Sequence, residues 1–421
     1  FDIIINKTKN KYNKEIISIE NYNMIYCNRL KKDYPYSYRI LLKLSKKVPN
    51  ILKKYEIKQN IINEFNKNIN NFNLFKNWYN KNSSILNELF NYNSVFLKEM
   101  SLNKNKKFNN DFNLCNTLFK NPFISLEIQN YIENNIKYRY SYVDNELDIK
   151  IFSPNKVENN LVVEIHNIIS FMKSLFNNLF PKKFKLIIFL VDKKKIIDIN
   201  NTHLTSDHIN TGSTIRGYFI KLWRNEEITK VLFHELVHYL KLDINDRHDI
   251  LSESIKKIIS IDKKTNVIPN EAYTEFIGLI LTNLYNSIKI NNFDNNFKIK
   301  EVFILFINLE LYWSLFQIGK VINFYKCFDN YLNIYDKNQQ CKIHQSTSVF
   351  SYYIIKSSFL FGFDDLLNFL INNNSKKYFY LKFNETISNI KELSLLMKKM
   401  LLNEQFKNIL INFIQIYKKR K

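Results

Sequence analysis

Alanine is nearly absent from this 421-residue chain: Ala272 is its single instance, and only five glycines and six prolines accompany it. Asn, Lys, Ile, Phe and Tyr are abundant instead, the pattern of an AT-rich coding sequence. Four cysteines, Cys27, Cys115, Cys327 and Cys341, show no C-x-x-C spacing and no dense pairing pattern. That excludes a small disulfide-stapled module and favours a reducing compartment, inside a cell or in a virion. No long uninterrupted apolar run is present. The longest, Val302 to Ile318, is broken by Asn308, Glu310 and Gln317, so it is expected to be a buried helix and no membrane partner is expected. The first residue is Phe1 and not methionine, so prior removal of a signal or propeptide stays open as an expectation.

Hydrophobic residues make up 45% of the chain and aromatics 15%, which sets it apart from disordered sequences. The length suffices for two domains or one elaborated enzyme domain. The formal net charge of +23 would ordinarily point to an acidic partner. Here lysine is spread along the chain, with its densest block at Lys418 to Lys421, and coding bias accounts for it. Nucleic acid is therefore not expected as the main partner.

Residues 1–150 alternate Asn and Lys with apolar positions at helical spacing, as in Ser84 to Met100, and predict a mainly helical N-terminal region. Beyond it Leu147–Phe152, Phe184–Val191 and Gly217–Trp223 have strand character, and Val157–Leu179 between them has a helical period. A turn is expected at Asn210–Thr214. After Arg224 the pattern is helical: about Glu226–Leu240, Asp249–Ile259, Asn270–Ile290, Phe297–Phe324 and Ser346–Phe361. The expectation is an α+β protein. A core at 151–300 would hold a small mixed sheet and active-site helices, and a helical region at 301–421 would complete the cleft.

Chemistry concentrates in His234-Glu235-Leu236-Val237-His238. Asn225 is expected to cap this helix, with Glu226 and Glu227 in its first turn. Histidines at i and i+4 project from one helix face, where two imidazoles can bind one ion. Glu235 lies a step around from His234, beside the ion without binding it. There a carboxylate can take a proton from a zinc-activated water and pass it to the leaving amine. A chance H-E-x-x-H is expected in under about 1% of chains of this size and composition. The bland alternative is a pair of helix histidines satisfied in a core.

A catalytic zinc needs a third protein ligand and an open position. A third histidine six residues after His238, with an intervening glycine, is absent because those positions hold Lys241 and Ile244, which excludes the metzincin arrangement. The candidate lies downstream in Asn270-Glu271-Ala272-Tyr273-Thr274-Glu275. Glu271 would complete a His-His-Glu set, and Glu275, one turn on, could accept the second N–H of a ligating histidine. A Glu-xxx-Glu face is otherwise common solvated helix surface. The single alanine beside Glu271 fits a need for a small residue where two helices approach the metal.

HELVH followed by NEAYTE resembles the gluzincin branch of the zincin metallopeptidases, with its thermolysin-like pattern of NExxxD, over roughly residues 184–290. The interval between the motifs is longer here, and Glu275 stands where Asp is more usual. The resemblance implies one Zn2+ held by His234, His238 and Glu271, Glu235 as catalytic base, Glu275 as supporting acid, and a peptide or protein substrate. It also implies an oxyanion donor downstream of the third ligand, for which His344, Tyr352 and Tyr353 are the candidates. Asn-Thr-Gly at 210–212 and Arg-x-Glu-Glu at 224–227 are similar to uncharacterised proteins of large DNA viruses.

In zincins the strand before the motif helix forms the edge on which substrate lies, a role expected for Gly217–Trp223. Arg216 and Arg224 could bind a substrate carboxylate or simply be solvated. His166, His203, His208 and His248 have no partner at metal spacing, and Asp243 and Asp246 are expected to end the motif helix. The function expected is zinc-dependent peptide hydrolysis. The alternative is a catalytically weak or inactive zincin-fold structural or interaction protein, such as a virion component.

Overall fold

The computed structural model describes residues 98–101 and 123–418, apart from 144, 158, 196–203, 246–247, 260–266, 294–298, 326–334, 336–344, 346 and 374–380. The four cysteines, His203 and His344 lie outside the described residues, as does Ser84–Leu97 of the expected N-terminal helix. The described residues form an α+β fold, mostly helical with a small mixed sheet.

Six strands make the sheet: β1 (Lys98–Ser101), β2 (Tyr138–Val143), β3 (Leu147–Ser153), β4 (Phe184–Phe189), β5 (Gly212–Ile215) and β6 (Phe219–Trp223). Their order is β1-β2-β3-β4-β6-β5. β3, β4 and β6 run parallel, while β2 and β5 lie antiparallel to their neighbours. Met100 therefore pairs in a strand and not in a helix. Position 150 falls inside β3, with strands of one sheet on both sides of it.

Alternation sorts the two faces. Leu147, Ile149 and Ile151 of β3, Phe184, Leu186 and Ile188 of β4, and Ile220 and Leu222 of β6 are buried. Phe184 meets Tyr239 of α3 (Ile228–Tyr239), so this face carries the motif helix. On the opposite face Phe152, Phe189 and Trp223 pack with Ile128 and Ile132 of α1 (Leu126–Asn135). Ser125 starts α1 by accepting a hydrogen bond from the Ile128 N–H at 3.3 Å.

Behind α3, Phe233 meets Phe171 of α2 (Asn159–Phe176) and Tyr285 of α5 (Pro269–Phe293). Leu232, Phe233, Leu236 and Val237 are fully buried, each contributing about 1.5–3 kcal/mol through apolar burial. Short α4 (His248–Lys256) precedes α5, and α6 (Ile299–Phe324) follows it. A π turn (Ser351–Ile355) then runs into α7 (Lys356–Phe361), with α8 (Phe363–Asn372), α9 (Ile387–Leu401) and α10 (Glu404–Lys418) completing the described chain. Among the described residues, no helix is long and apolar enough to cross a membrane.

Three expectations are corrected. Asn225 does not cap α3; the helix begins at Ile228, and its N-cap is Glu227, whose left-handed backbone (φ 62°) turns the chain into it. Gly217–Trp223 is not the sheet edge, because β6 lies between β4 and β5. Among the described residues the edge beyond β6 is β5, formed where a turn was expected; its short Gly-Ser-Thr-Ile sequence has too little apolar alternation to register as a strand. The turn falls instead at the β5–β6 hairpin, where Gly217 supplies the positive φ of 77°.

Candidate metal centre

α3 sets His234 and His238 one turn apart on the face that meets α5, with ring centroids 4.9 Å apart. α5 crosses close by because Gly278 has no side chain: a Cβ there would stand 3.2 Å from His234 Cα. Ala272, beside Glu271, is fully buried. Pro269 occupies the first position of α5, where its missing N–H costs nothing, and Glu271 falls in the first turn.

Glu271 Oε2 lies 3.5 Å from Nε2 of His234 and 3.5 Å from Nε2 of His238. One atom from each of the three residues falls within 4.8 Å of the others. The edge of a tetrahedron with the usual zinc–ligand arms is about 3.4 Å, so these atoms are spaced as zinc ligands would be. Two imidazoles and a carboxylate with a fourth position left over is also the donor set of a catalytic zinc site.

The far nitrogen of each imidazole has its own carboxylate. His234 Nδ1 lies 2.9 Å from Glu275 Oε2, and His238 Nδ1 lies 2.7 Å from Asp243 Oδ2. An ionised carboxylate there requires the proton on Nδ1 and leaves the Nε2 lone pair facing the shared centre. Lys230 Nζ at 3.1 Å and buried Lys356 Nζ at 3.7 Å balance the Glu275 charge. Arg216 balances Asp243.

Without a metal, this crowd of charges shifts protons onto the histidines. Burial opposes a charged imidazole, but the hydrogen bonds to Glu271 and Glu275 lift His234 to about 9. Burial likewise opposes charge on His238, yet Glu271 and Asp243 raise it well above the ordinary histidine range. Against the burial penalty, the histidines hold Glu271 well below the usual carboxylate range, and Lys230 and His234 do the same for Glu275.

Glu235 is 5% exposed and sits against β5. Thr214 Oγ1 donates to its Oε2 at 2.7 Å and lies 3.1 Å from its backbone carbonyl oxygen. Gly212, two residues earlier on the same face of β5, leaves room for the carboxylate: a Cβ there would come within 2.5 Å of Oε1. Burial raises the Glu235 pKa, and the charged histidines pull against it.

Tyr352 reaches the site from the π turn, donating its O–H to Glu271 Oε2 at 2.8 Å. A π turn is a frequent device at functional sites because the extra residue re-aims side chains. Tyr353 instead packs with Leu204, Val321 and Val349, and Lys356 lies 5.7 Å from its ring centroid. Arg224 is buried and donates to the Lys193 carbonyl at 2.8 Å, so it is no exposed carboxylate receptor. His208 accepts from Thr205 N–H in a short turn, a structural role.

Sequence reasoning missed Asp243, Thr214 and Gly278, and the two lysines on Glu275, Lys230 and Lys356. Asp243 was expected to end the motif helix; a sharp chain reversal after Tyr239 brings it back under His238. Gly278 carried a usable signal, being one of only five glycines and lying on α5 seven residues after the proposed ligand.

No family model matches the chain, and no solved structure matches it. The chain is 25% identical over 303 residues to an uncharacterised protein of Acanthamoeba polyphaga mimivirus, an alignment covering 65% of this chain and 72% of that protein. This agrees with the likeness to proteins of large DNA viruses and is silent on activity.

Proposed function

We propose that the chain is a zinc-dependent metallopeptidase with a zincin-like core of the gluzincin type. The observation that carries the reading is the convergence of His234 Nε2, His238 Nε2 and a Glu271 oxygen at ligand spacing, with Glu235 on the adjoining position of the same helix. His234, His238 and Glu271 would hold one Zn2+. When bound, the metal would supply Lewis acidity, making water a nucleophile at neutral pH and polarising the scissile carbonyl.

The remaining tasks fall to side chains. Glu235 accepts the proton of the attacking water and returns it to the leaving amine; its raised pKa suits a group that must hold and release a proton. Tyr352, with its O–H beside the ligand oxygen, supports the role of donor to the oxyanion that develops on the carbonyl. Among the described residues β5 has no strand paired along its outer side, so an extended peptide can add there as a further strand, next to Glu235.

The test is metal content and hydrolysis together. Purified chain should carry about one zinc, lost in His234→Ala, and Glu235→Gln should keep the zinc while cleavage of a broad peptide library ceases. Unaltered turnover in Glu235→Gln would remove that residue from the mechanism. Bound zinc with no cleavage by the wild-type chain would favour the alternative, a zincin-fold structural or interaction protein.

A further inference from the structure

We infer that Asp243 is the positioning residue of the second histidine ligand, and that the loop carrying it is braced by distant parts of the chain so that His238 is aimed before metal arrives. The inference rests on the metal-centre reading above.

The loop begins with a helix end of unusual composition. The Leu242 N–H returns to the Val237 carbonyl at 2.9 Å and the Lys241 N–H to the His238 carbonyl at 3.1 Å, the paired bonds of a Schellman motif. Its left-handed position is occupied by Lys241 (φ 56°) where glycine is preferred. This reversal turns the chain back beneath α3. Asp243, only five residues after His238, thereby comes to 2.7 Å from His238 Nδ1.

Three separate segments hold the loop there. From the β5–β6 hairpin, Arg216 pairs with Asp243 Oδ2 and donates to Asn245 Oδ1 at 3.1 Å. From the start of α5, Asn270 Oδ1 accepts the Ile244 N–H at 3.1 Å, next in sequence to the ligand Glu271. Ahead of α9, Lys382 donates to the carbonyls of Lys241 and Asp243, and Glu385 accepts the Asn245 N–H at 2.8 Å. The substrate edge, the third ligand and the C-terminal region therefore all meet at this loop.

A loop braced only for folding would not need this residue. Asp243 is fully buried, and a buried carboxylate is costly unless its charge is used; an apolar side chain of similar volume is often neutral or better. Both Arg216 and His238 sit on one oxygen of Asp243, Oδ2, which orients His238 and in turn is oriented by Arg216. His234 likewise has a carboxylate, Glu275, but there the histidine is on Oε2 and the two lysines are on Oε1. The role is that of a hydrogen-bond acceptor fixing Nδ1–H, so that His238 presents Nε2.

The experiment is zinc affinity of the full chain by chelator competition, with proton NMR of the zinc-loaded protein. Asp243→Ala should weaken zinc by about 10- to 100-fold, and the slowly exchanging Nδ1–H resonance of His238 should disappear while that of His234 persists. Asp243→Asn, nearly isosteric and still an acceptor, should fall between wild type and Ala; it carries the test if the alanine variant does not fold. Affinity within about twofold of wild type in Asp243→Ala, or in Asp243→Asn where the alanine variant does not fold, or an unchanged His238 resonance in Asp243→Ala, overturns the inference and leaves the metal centre standing. A wild-type chain that takes up no zinc overturns both.

Discussion

The Thr214 hydroxyl, on the end strand β5, donates to the Glu235 carboxylate on the motif helix across 2.7 Å. The strand that would receive a peptide thus also holds the group that would move the proton. A hydrogen bond to a charged partner is worth about 1.5–3 kcal/mol, enough to keep a buried carboxylate in one orientation.

Thr214→Val keeps the shape and removes the donor. Turnover should fall roughly tenfold, with zinc affinity unchanged and Thr214→Ser restoring most of the rate. Measured kcat and KM for the three proteins, beside zinc content, decide it: a loss confined to KM would show that Thr214 meets substrate and does not orient the base.

Gly212→Ala puts a methyl where the Glu235 carboxylate now lies, within 2.5 Å of Oε1 if nothing moved. The carboxylate must shift, so activity should drop more than in Thr214→Val while zinc stays bound. Gly212 carries no left-handed backbone requirement, so a crystal structure of the variant should show a displaced Glu235 and an intact β5. Full activity would mean that Glu235 is free to work from another position.

Glu271→Ala and Tyr352→Phe separate ligand from neighbour. Glu271 offers an oxygen 3.5 Å from both Nε2 atoms, whereas the Tyr352 hydroxyl bonds that oxygen at 2.8 Å and its ring lies edge-on to His234. Loss of Glu271 should weaken zinc beyond the roughly 100-fold ceiling seen for outer partners. Tyr352→Phe should leave zinc within about tenfold of wild type and lower kcat. Equal zinc affinity in Glu271→Ala and wild type would assign the third ligand elsewhere.

Metal uptake should depend on pH. His234 is raised to about 9 in the metal-free protein, so its imidazole is protonated at pH 7 and the metal must displace that proton. His238 is raised as well, so apparent zinc affinity should rise steadily as pH rises through neutrality toward about 9, with protons released on binding near pH 7. Calorimetry in buffers of different ionisation enthalpy measures the release; none at pH 7 would mean the histidines are already neutral.

Much of the centre was legible because its residues lie on regular helices. His234, Glu235 and His238 fix one another through helical geometry, and Glu271 and Glu275 do so one turn apart on a second helix. Leu147–Ser153 and Phe184–Phe189 were also readable, since apolar residues alternate on a half-buried strand. β5 was not, because its residues serve Glu235 and not a core.

The sequence by itself determined the motif, the face of α3 that carries it, and the donor types required of a third ligand, since these follow from helical period and ligand chemistry within short segments. Only the tertiary structure decided that Glu271 meets both histidines, that Gly278 lets α5 come close enough, and that Tyr352 reaches Glu271 across 81 residues of chain. It also turned Asp243 from a helix stop into the partner of His238. Such contacts arise where separate elements pack, and no local period in the chain encodes how two helices cross or where a loop folds back.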